Sequence, residues 1–416
     1  MIERLLSGFE IDGRVRAAAR AAEPRLLAFD RAARVPIRAK IIEAFLAEGI
    51  AESDLAAATG YGYDDPARER YESLLARIFA GERALARLSL VSGTHAIVTA
   101  LAACVAPGQT LLSVTGRPYD TLHHAIVDAP HSLVHGGMHY EEVALDENGR
   151  IDPERIAKRC LEAAPAAVFV QRSRGYSARP SLDIDACAAV VTAVKEGAPG
   201  ASIIVDNCYG ELVEEREPLE VGADLAIGSL IKNLGGGIAP TGGYVVGRDA
   251  LVERIAARLY APGLGAALGP SLGFGRAFVQ GLFYAPLVVD EALRGLDFAA
   301  DLFARLGFAV DPLPGARRTD VIQAIRLGRP DLLVAFARGL QKALPINARF
   351  SPEPGHVPGY VDPVVMSSGA FISGATIELS CDAPMREPYD VYLQGGLMAE
   401  HVAIGAALAA DAVLLG

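Results

Sequence analysis

The chain has 416 residues, of which 51% are hydrophobic and 21% are charged. This composition is that of a globular protein and excludes a disordered chain, and the length predicts one large domain with a smaller one. The formal net charge of −11 argues against a nucleic-acid partner, because nonspecific affinity for the phosphate backbone comes from clustered Lys and Arg.

Neither the N-terminus nor the hydropathy indicates export or a membrane location. The first 30 residues mix charges with apolar residues and lack the continuous apolar core of a signal peptide. Mean hydropathy is +0.27, but apolar runs such as AVVTAV (189–194) are far shorter than the ~20 residues of a spanning helix. Five scattered cysteines without a C-x-x-C pair leave at least one thiol unpaired, which favours a cytoplasmic protein.

The chain begins with helical patterns. Residues 1–58 predict a helical arm, in which VPIRAKIIEAFLAEGI (35–50) has apolar residues at helical spacing. In residues 59–81, a loop with two tyrosines, Tyr61 and Tyr63, precedes a helix whose start is marked by the sequence DDP.

From residue 87 onward, short apolar runs alternate with helical stretches, which predicts an α/β fold with a mostly parallel sheet covered on both faces. We expect this large domain to span 59–285. A long helix over 275–307 then leads into a smaller α+β domain over 286–416.

The strongest chemical signal lies in residues 206–247. SIIVDNCYG places Asp206 at the carboxyl end of a buried strand, where open α/β sheets bind ligands. AIGSLIKNLGGG places Lys232 after another strand and before a glycine cluster that allows close approach of backbone to a ligand. The segment between the two residues is long enough for a helical crossover.

These two residues predict pyridoxal phosphate (PLP) as a cofactor. Burial lowers the pKa of a lysine ammonium, and the neutral amine of Lys232 can then form a Schiff base with an aldehyde. A carboxylate such as Asp206 keeps the cofactor's ring nitrogen protonated, which makes the ring an electron sink. Ser229, three residues before the lysine, could add a hydroxyl to a phosphate.

Taken singly, each feature has an ordinary structural alternative. Asp206 could cap a helix, Lys232 could be a surface residue at a strand end, and the glycines could only make turns. The combination makes these alternatives much weaker. A phosphate-binding P-loop is excluded, because Lys232 precedes the glycines instead of following them.

A second site pattern is LVSGTHAIVTALAACVAPG (90–108), a short strand that turns at Ser92, Gly93 and Thr94 into a helix. Free N–H groups at a helix start form an anion site that suits a cofactor phosphate. The alternative is a Ser/Thr cap without a ligand.

An aromatic ring and a carboxylate clamp complete the predicted site. Tyr119, after a Gly-Arg-Pro turn, could stack on a flat cofactor or be a core residue. Arg172, Arg174 and Arg386 are candidates for a substrate carboxylate, although a single arginine is more often solvated or salt-bridged. We assign no metal, because the adjacent histidines at 123 and 124 point in different directions on a helix.

These motifs resemble the PLP-dependent aluminium resistance protein or methionine γ-lyase-like family, which is related to the enzymes of Cys/Met metabolism. The matching blocks are YGYDD (61–65), SGTHAI (92–97), GRPYDTL (116–122), QRSRGY (171–176), VDNCYGE (205–211), GSLIKN with GGGIAPTGGY (228–244) and APMREPYDVYLQGGL (383–397). Two positions depart from the family pattern: Leu234 replaces a proline, and Ala178 replaces an aromatic residue, which could reshape the substrate pocket.

The resemblance implies the PLP-dependent transferase fold type I, which is aspartate-aminotransferase-like, and a homodimer or homotetramer with active sites at the subunit interface. It implies that Lys232 holds PLP, Asp206 meets the pyridinium, Gly93 and Thr94 bind phosphate, and Tyr119 stacks on the ring. By the same resemblance, Tyr61 or Tyr63 reaches the neighbouring subunit's site and Arg386 holds the substrate carboxylate.

The first hypothesis for function is a carbon–sulfur lyase that catalyses β- or γ-elimination on a sulfur-containing amino acid, with Lys232 as tether and base. The nearest alternatives keep the cofactor: a γ-replacement enzyme or sulfhydrylase, or an aminotransferase-like enzyme. A PLP-fold binding protein without turnover is disfavoured by the intact Lys232 and Asp206. A nicotinamide-dependent oxidoreductase lacks its G-x-G-x-x-G fingerprint.

Overall fold

The computed structural model describes residues 1–27, 30 and 32–416, so residues 28, 29 and 31 of the predicted N-terminal arm lie outside the described residues. The chain divides into two compact units. One unit combines residues 1–35 with 284–416, and the other comprises residues 36–283. The predicted domain boundaries after residues 58 and 285 stay a prediction.

Twelve α-helices and twelve strands are present among the described residues. The helices are α1 (Ile2–Leu5), α2 (Gly13–Leu27), α3 (Val35–Glu48), α4 (Pro66–Ile78), α5 (Gly93–Cys104), α6 (Asp120–His123), α7 (Pro153–Ala163), α8 (Ile184–Gly197), α9 (Asp249–Leu259), α10 (Gly275–Arg305), α11 (Pro330–Gln341) and α12 (Ala399–Leu415). The strands are β1 (Arg83–Arg87), β2 (Thr110–Ser113), β3 (His139–Glu142), β4 (Ala167–Gln171), β5 (Ser202–Asp206), β6 (Leu225–Ser229), β7 (Gly243–Gly247), β8 (Ala309–Asp311), β9 (Ile322–Arg326), β10 (Val364–Ser367), β11 (Ser380–Pro384) and β12 (Asp390–Gln394).

The unit of residues 36–283 is built on a seven-stranded sheet in the order β1-β7-β6-β5-β4-β2-β3. Strands β2 to β6 run parallel, and β7 is antiparallel to both of its neighbours. Successive side chains of β5 point to opposite faces. Ile204 packs in one apolar cluster, whereas Ile203 and Val205 pack in the other. The predicted α/β architecture with a mostly parallel, doubly covered sheet is confirmed.

Local signals set the helix boundaries as predicted. The Asp65 side chain caps α4 by accepting from the Arg68 N–H at 3.1 Å, and Pro66 occupies the first turn, where its missing N–H costs nothing. The periodic segments at 35–50 and 275–307 form α3 and α10.

Two local predictions were wrong. The strand expected up to Ser92 ends at Arg87, because pairing with β7 stops at Gly243, against which Leu90 packs closely: a Cβ added there would lie 3.1 Å from the Leu90 Cβ. The expected helical crossover between Asp206 and Lys232 contains no α-helix, only one 3-10 turn at Pro218–Val221.

A buried arginine organises that connection. Arg172 follows β4 and is fully buried, and its guanidinium donates to Glu214 Oε2 at 2.7 Å, Asn207 Oδ1 at 2.7 Å and the Gly210 carbonyl at 3.0 Å. Glu217 completes the network by accepting from Asn207 Nδ2 at 2.8 Å. The loop of residues 207–217 therefore folds around one cation instead of forming a helix.

This geometry corrects the prediction that Arg172 binds a substrate carboxylate. Its side chain is 1% exposed, and two carboxylates of the chain itself neutralise it. Burial lowers the Arg172 pKa, but attraction to Glu217, Cys187 and Glu214 outweighs burial and raises it. Arg172 is a structural cation.

The other unit contains a five-stranded sheet in the order β10-β11-β12-β9-β8, with every pair antiparallel. Helices α11 and α12 pack together, and the rings of Phe303 and Phe336 lie 5.4 Å apart in its core. The predicted mixture of strands and helices at the C-terminal end of the chain is confirmed.

Over the described part of the chain, none of the helices combines the length and the apolar character that crossing a membrane requires. All five cysteines are buried free thiols.

Substituting Gly228 tests the packing of β6. A Cβ at Gly228 would lie 2.7 Å from Tyr244 Cε1 and 2.8 Å from Glu211 Oε1, so Gly228→Ala should destabilise the protein by about 1–3 kcal/mol. Urea unfolding measures the loss. Gly200→Ala is the control, because a Cβ there meets nothing within 4 Å. Equal stability of the two variants would contradict this packing.

Replacing Arg172 tests its structural role. Arg172→Met leaves Glu214 and Glu217 buried without their cation, so we expect a loss of about 3–5 kcal/mol in the free energy of unfolding. Arg216→Met removes an exposed pair with Asp185 and should cost less than about 1 kcal/mol. A stable Arg172→Met protein that has only weakened substrate binding would restore the original prediction.

Candidate active site

The predicted lysine and aspartate both lie at the carboxyl edge of the parallel sheet. Asp206 is the last residue of β5, and Lys232 lies three residues after the end of β6. The two strands are adjacent, with Asp206 opposite Ile227, and the Asn207 N–H donates to the Ile227 carbonyl at 2.9 Å. Neighbouring parallel strands therefore deliver both groups to one edge.

The Lys232 amine lies over the ring of Tyr209, with Nζ 3.6 Å from the ring centroid. The residue is partly exposed, and its amine makes no ion pair within the described residues. Burial acts to lower the Lys232 pKa, but the nearby Cys208, Tyr209 and Asp206 raise it well above its usual value. The predicted lowering of this pKa by burial was therefore wrong for the chain alone.

Asp206 is a buried carboxylate that is 4% exposed. Its Oδ1 accepts from the Cys208 N–H at 3.1 Å. Burial raises the Asp206 pKa, while Lys232 and the Cys208 N–H oppose the rise. The alternative that Asp206 caps a helix is excluded, because the bond to Cys208 closes a turn.

Tyr209, which no prediction named, forms the surface beneath the lysine. Its backbone is in the left-handed region, with φ of 71°, which is strained for an aromatic residue. The Asn233 side chain holds this conformation by donating to the carbonyls of Tyr209 at 2.9 Å and Glu211 at 2.8 Å. Asn233 follows Lys232 directly, so this amide ties the lysine turn to the loop after Asp206.

The start of α5 offers the predicted anion site. Ser92 caps the helix by accepting from the His95 N–H at 3.1 Å, as the cap alternative required. The N–H groups of Gly93 and Thr94 have no acceptor within the described chain and remain available for an anion. A Cβ at Gly93 would lie 3.4 Å from the Ser229 Cβ, so Ser229 lines the same turn.

Tyr119 is connected to that turn. Its hydroxyl lies 3.0 Å from the Thr94 hydroxyl, and its backbone N–H donates to Gln171 Oε1 at 2.9 Å. Burial and the charge of Asp206 raise the Tyr119 pKa, so the phenol stays neutral. The ring is partly buried and packs against the apolar cluster that contains Ile204.

The two other arginines predicted to bind substrate both have partners within the chain. Arg174 is buried, and its backbone N–H donates to the Ser181 hydroxyl at 3.1 Å. Arg386 belongs to the unit of residues 1–35 and 284–416 and pairs with Asp362 at 3.2 Å. Both roles in substrate binding stay predictions.

The loop before α4 carries the two predicted tyrosines. Tyr61 is 74% exposed and Tyr63 is 53% exposed, and their ring centroids lie 5.8 Å apart. The Tyr61 carbonyl accepts from the Gly269 N–H at 3.0 Å, which fixes the loop. Contact with a neighbouring subunit stays a prediction.

Across residues 1–27, 30 and 32–416, no three His, Cys, Asp or Glu side chains form a group that could hold a metal ion.

The chain is similar to several known proteins. A family model described as methionine gamma-lyase matches residues 14–414. YnbB of Bacillus subtilis (strain 168) is 41% identical over 379 residues, which cover 90% of each chain. A solved structure from Clostridium novyi NT, described as a carbon-sulfur lyase involved in aluminum resistance, is 40% identical, has a TM-score of 0.92 and covers 98% of each chain.

A more distant structure supports the fold alone. The protein YhfS from Escherichia coli, described as pyridoxal-5'-phosphate dependent, is 18% identical, with a TM-score of 0.62 over 92% of this chain and 96% of that one. The predicted fold type I architecture is confirmed by this likeness. Because the family model matches nearly the whole chain, the predicted family is also confirmed: this chain belongs to the methionine gamma-lyase family.

Proposed function

We propose that this chain is a PLP-dependent carbon–sulfur lyase that acts on a sulfur-containing amino acid by β- or γ-elimination. One observation carries the proposal: Asp206 ends β5, and Lys232 follows the neighbouring strand β6 with its amine over the Tyr209 ring, so both residues lie at one edge of the sheet. The family match over residues 14–414 and the description of the Clostridium relative as a carbon-sulfur lyase support the reaction class.

The residues present fit this cofactor. The Lys232 residue is partly exposed, and its amine lies over the Tyr209 ring with no ion pair within the described residues, which suits a bond to an aldehyde. The N–H groups of Gly93 and Thr94, with the neighbouring Ser229, suit the phosphate. The Asp206 carboxylate suits a ring nitrogen, and Tyr119 supplies an aromatic face. When bound, PLP supplies an electrophilic carbon and an electron-withdrawing ring.

The chain's own groups account for the proton transfers. A neutral Lys232 amine would remove the proton from the substrate's α carbon. In β-elimination the electron pair left on that carbon forms a double bond to the β carbon while the carbon–sulfur bond breaks with its own electron pair leaving on sulfur; γ-elimination requires that a second proton first be removed from the β carbon. The sulfur takes a proton from the lysine ammonium and departs as a thiol. A proton on the cofactor's ring nitrogen would neutralise Asp206 and weaken its hold on the lysine proton, so Lys232 becomes a better base.

The proposal extends to substrate, assembly and location. Arg386 and Arg174 are proposed to hold the substrate carboxylate, because guanidinium forms a bidentate pair with it. A homodimer or homotetramer is proposed, with the exposed Tyr61 and Tyr63 reaching the neighbouring subunit's site. A cytoplasmic location is supported by the five free thiols.

Replacing Lys232 tests the proposal. Lys232→Ala should fold but lose at least about 100-fold in the rate of α-keto-acid release, because it lacks the group that moves the α proton. Asp206→Asn should also lose rate while keeping its shape. Lys158→Ala, which alters an exposed lysine of α7, is the control and should retain full activity.

The products identify the reaction. Cystathionine, cysteine, methionine and O-acetylhomoserine are offered in turn, and keto acid and thiol are measured. Pyruvate indicates β-elimination, and 2-oxobutyrate indicates γ-elimination. Keto acid from none of them, with transfer of the amino group to an added keto acid or capture of added sulfide, would overturn the lyase assignment.

A further inference from the structure

A buried carboxyl group that the proposed reaction does not use lies close to the lysine turn. Glu211 is fully buried, and the Tyr244 hydroxyl donates to its Oε1 at 3.0 Å. Its other oxygen, Oε2, is buried and has no hydrogen-bond partner within the described chain. Burying an unpaired carboxylate oxygen is costly, so its retention calls for an explanation.

The packing around Glu211 is specific. Gly228 lies in β6, immediately before Ser229, and a Cβ there would come within 2.8 Å of both Glu211 Oε1 and the Tyr244 hydroxyl. Only glycine leaves room for the acid and the phenol behind the strand that leads to Lys232. The pair of Glu211 and Tyr244 is therefore built into the sheet beneath the site.

Hydrogen bonds from the Asn233 side chain connect the backbone of Glu211 to the lysine turn. The Asn233 side chain donates to the Glu211 carbonyl at 2.8 Å and to the Tyr209 carbonyl at 2.9 Å. Asn233 is bonded covalently to Lys232, whose Nζ lies on the Tyr209 ring. Asn233 therefore ties the backbone of Glu211 and of Tyr209 to the turn that carries the lysine.

Five ionisable groups interact electrostatically with Glu211: Lys232 after β6, Glu217 and Cys208 in the loop after β5, Tyr244 on β7 and Tyr71 on α4. Burial raises the Glu211 pKa to about 8, and Glu217 adds to the rise. The backbone, Lys232 and Tyr244 oppose it. Burial and the charge of Glu211 raise the Tyr71 pKa, so this phenol stays neutral, and its hydroxyl has no hydrogen-bond partner in the described chain.

We propose that Glu211 is a positioning residue for Lys232: with Tyr244 and Asn233 it fixes the lysine turn, and its charge sets how tightly the Lys232 nitrogen holds a proton. The proposal rests on the proposed function, in which that nitrogen would be bonded to PLP until the substrate's amine displaces it, and the released amine would act as a base when it is unprotonated. A carboxylate that appears near the nitrogen stabilises the protonated form, whereas a neutral acid does not.

The first test is a pH titration of the visible absorption of the PLP-loaded protein. Glu211→Gln keeps the shape but cannot ionise, so it lacks the charge that Glu211 carries above about pH 8. In the pH range above about 8 the nitrogen should hold its proton less tightly in the variant, and a midpoint in that range should fall by about one unit, a tenfold loss of proton affinity. Tyr244→Phe removes the hydrogen bond that favours the ionised acid, so it should shift the midpoint in the same direction by less.

Glu378→Gln is the matched control. Glu378 is another buried acid, but its oxygens accept from the N–H groups of Phe371 and Ile372 in the other compact unit. This variant should leave the titration unchanged. If Glu211→Gln fails to fold, Tyr244→Phe alone decides. An unchanged midpoint in Tyr244→Phe, and in any Glu211→Gln protein that folds, would overturn the proposal.

The second test needs no cofactor and separates the two proposals. The folded Glu211 binds its proton up to about pH 8, whereas an unfolded glutamic acid releases it near its usual pKa of 4.5. The contribution of protonated Glu211 to the free energy of unfolding is therefore complete below the usual pKa of 4.5. It is lost as the pH rises to about 8.

The urea midpoint of the protein without PLP should accordingly fall, relative to that of Glu211→Gln, between about pH 5 and about pH 8. A constant difference would show that Glu211 is already ionised and would overturn the inference. If this pH dependence is found but PLP does not bind, the proposed function fails, while the conclusion that Glu211 is a buried, protonated acid still holds.

Discussion

The ion pair between Arg172 and Glu214 is the contact on which the arrangement of the site depends. It holds one buried cation at the end of β4, and the backbone of residues 207–217 folds around that cation through Asn207 and Gly210. The same segment supplies the Cys208 N–H to Asp206 and the Tyr209 ring to Lys232. A buried ion pair contributes little net stability, but it specifies one conformation, because any other would leave its charges unpaired.

One side-chain amide, that of Asn233, connects this loop to the lysine. Asn233 bridges two carbonyls of the loop and thereby positions Lys232 three residues beyond its strand. The left-handed backbone of Tyr209 is strained, and these hydrogen bonds stabilise it. The strained residue is the one whose aromatic ring contacts the lysine amine. The sheet supplies the edge, the ion pair shapes the loop, and the amide joins the two.

The sequence allowed the sheet, the long helices and the ends of β5 and β6 to be predicted, because each has a local pattern of apolar spacing and turn residues. Asp206 and Lys232 were therefore found where expected. The loop of residues 207–217 could not be predicted, since its conformation depends on contacts with Arg172, far away in sequence. The sequence pattern of an arginine after a strand is the same whether the side chain binds a substrate or an internal carboxylate. Tyr209, Asn233 and Glu211 lie within the matched VDNCYGE and GSLIKN blocks, and only the fold shows what they contact.

The most direct measurement is to locate the cofactor on the chain. The protein is incubated with PLP, reduced with borohydride and digested with trypsin, and the peptides are weighed by mass spectrometry. We expect one adduct, on the peptide of residues 217–248, in which cleavage after Lys232 is blocked and no other lysine is present. An adduct on another lysine, or none under conditions in which PLP is in excess, would contradict the assignment of Lys232 and with it the proposed reaction.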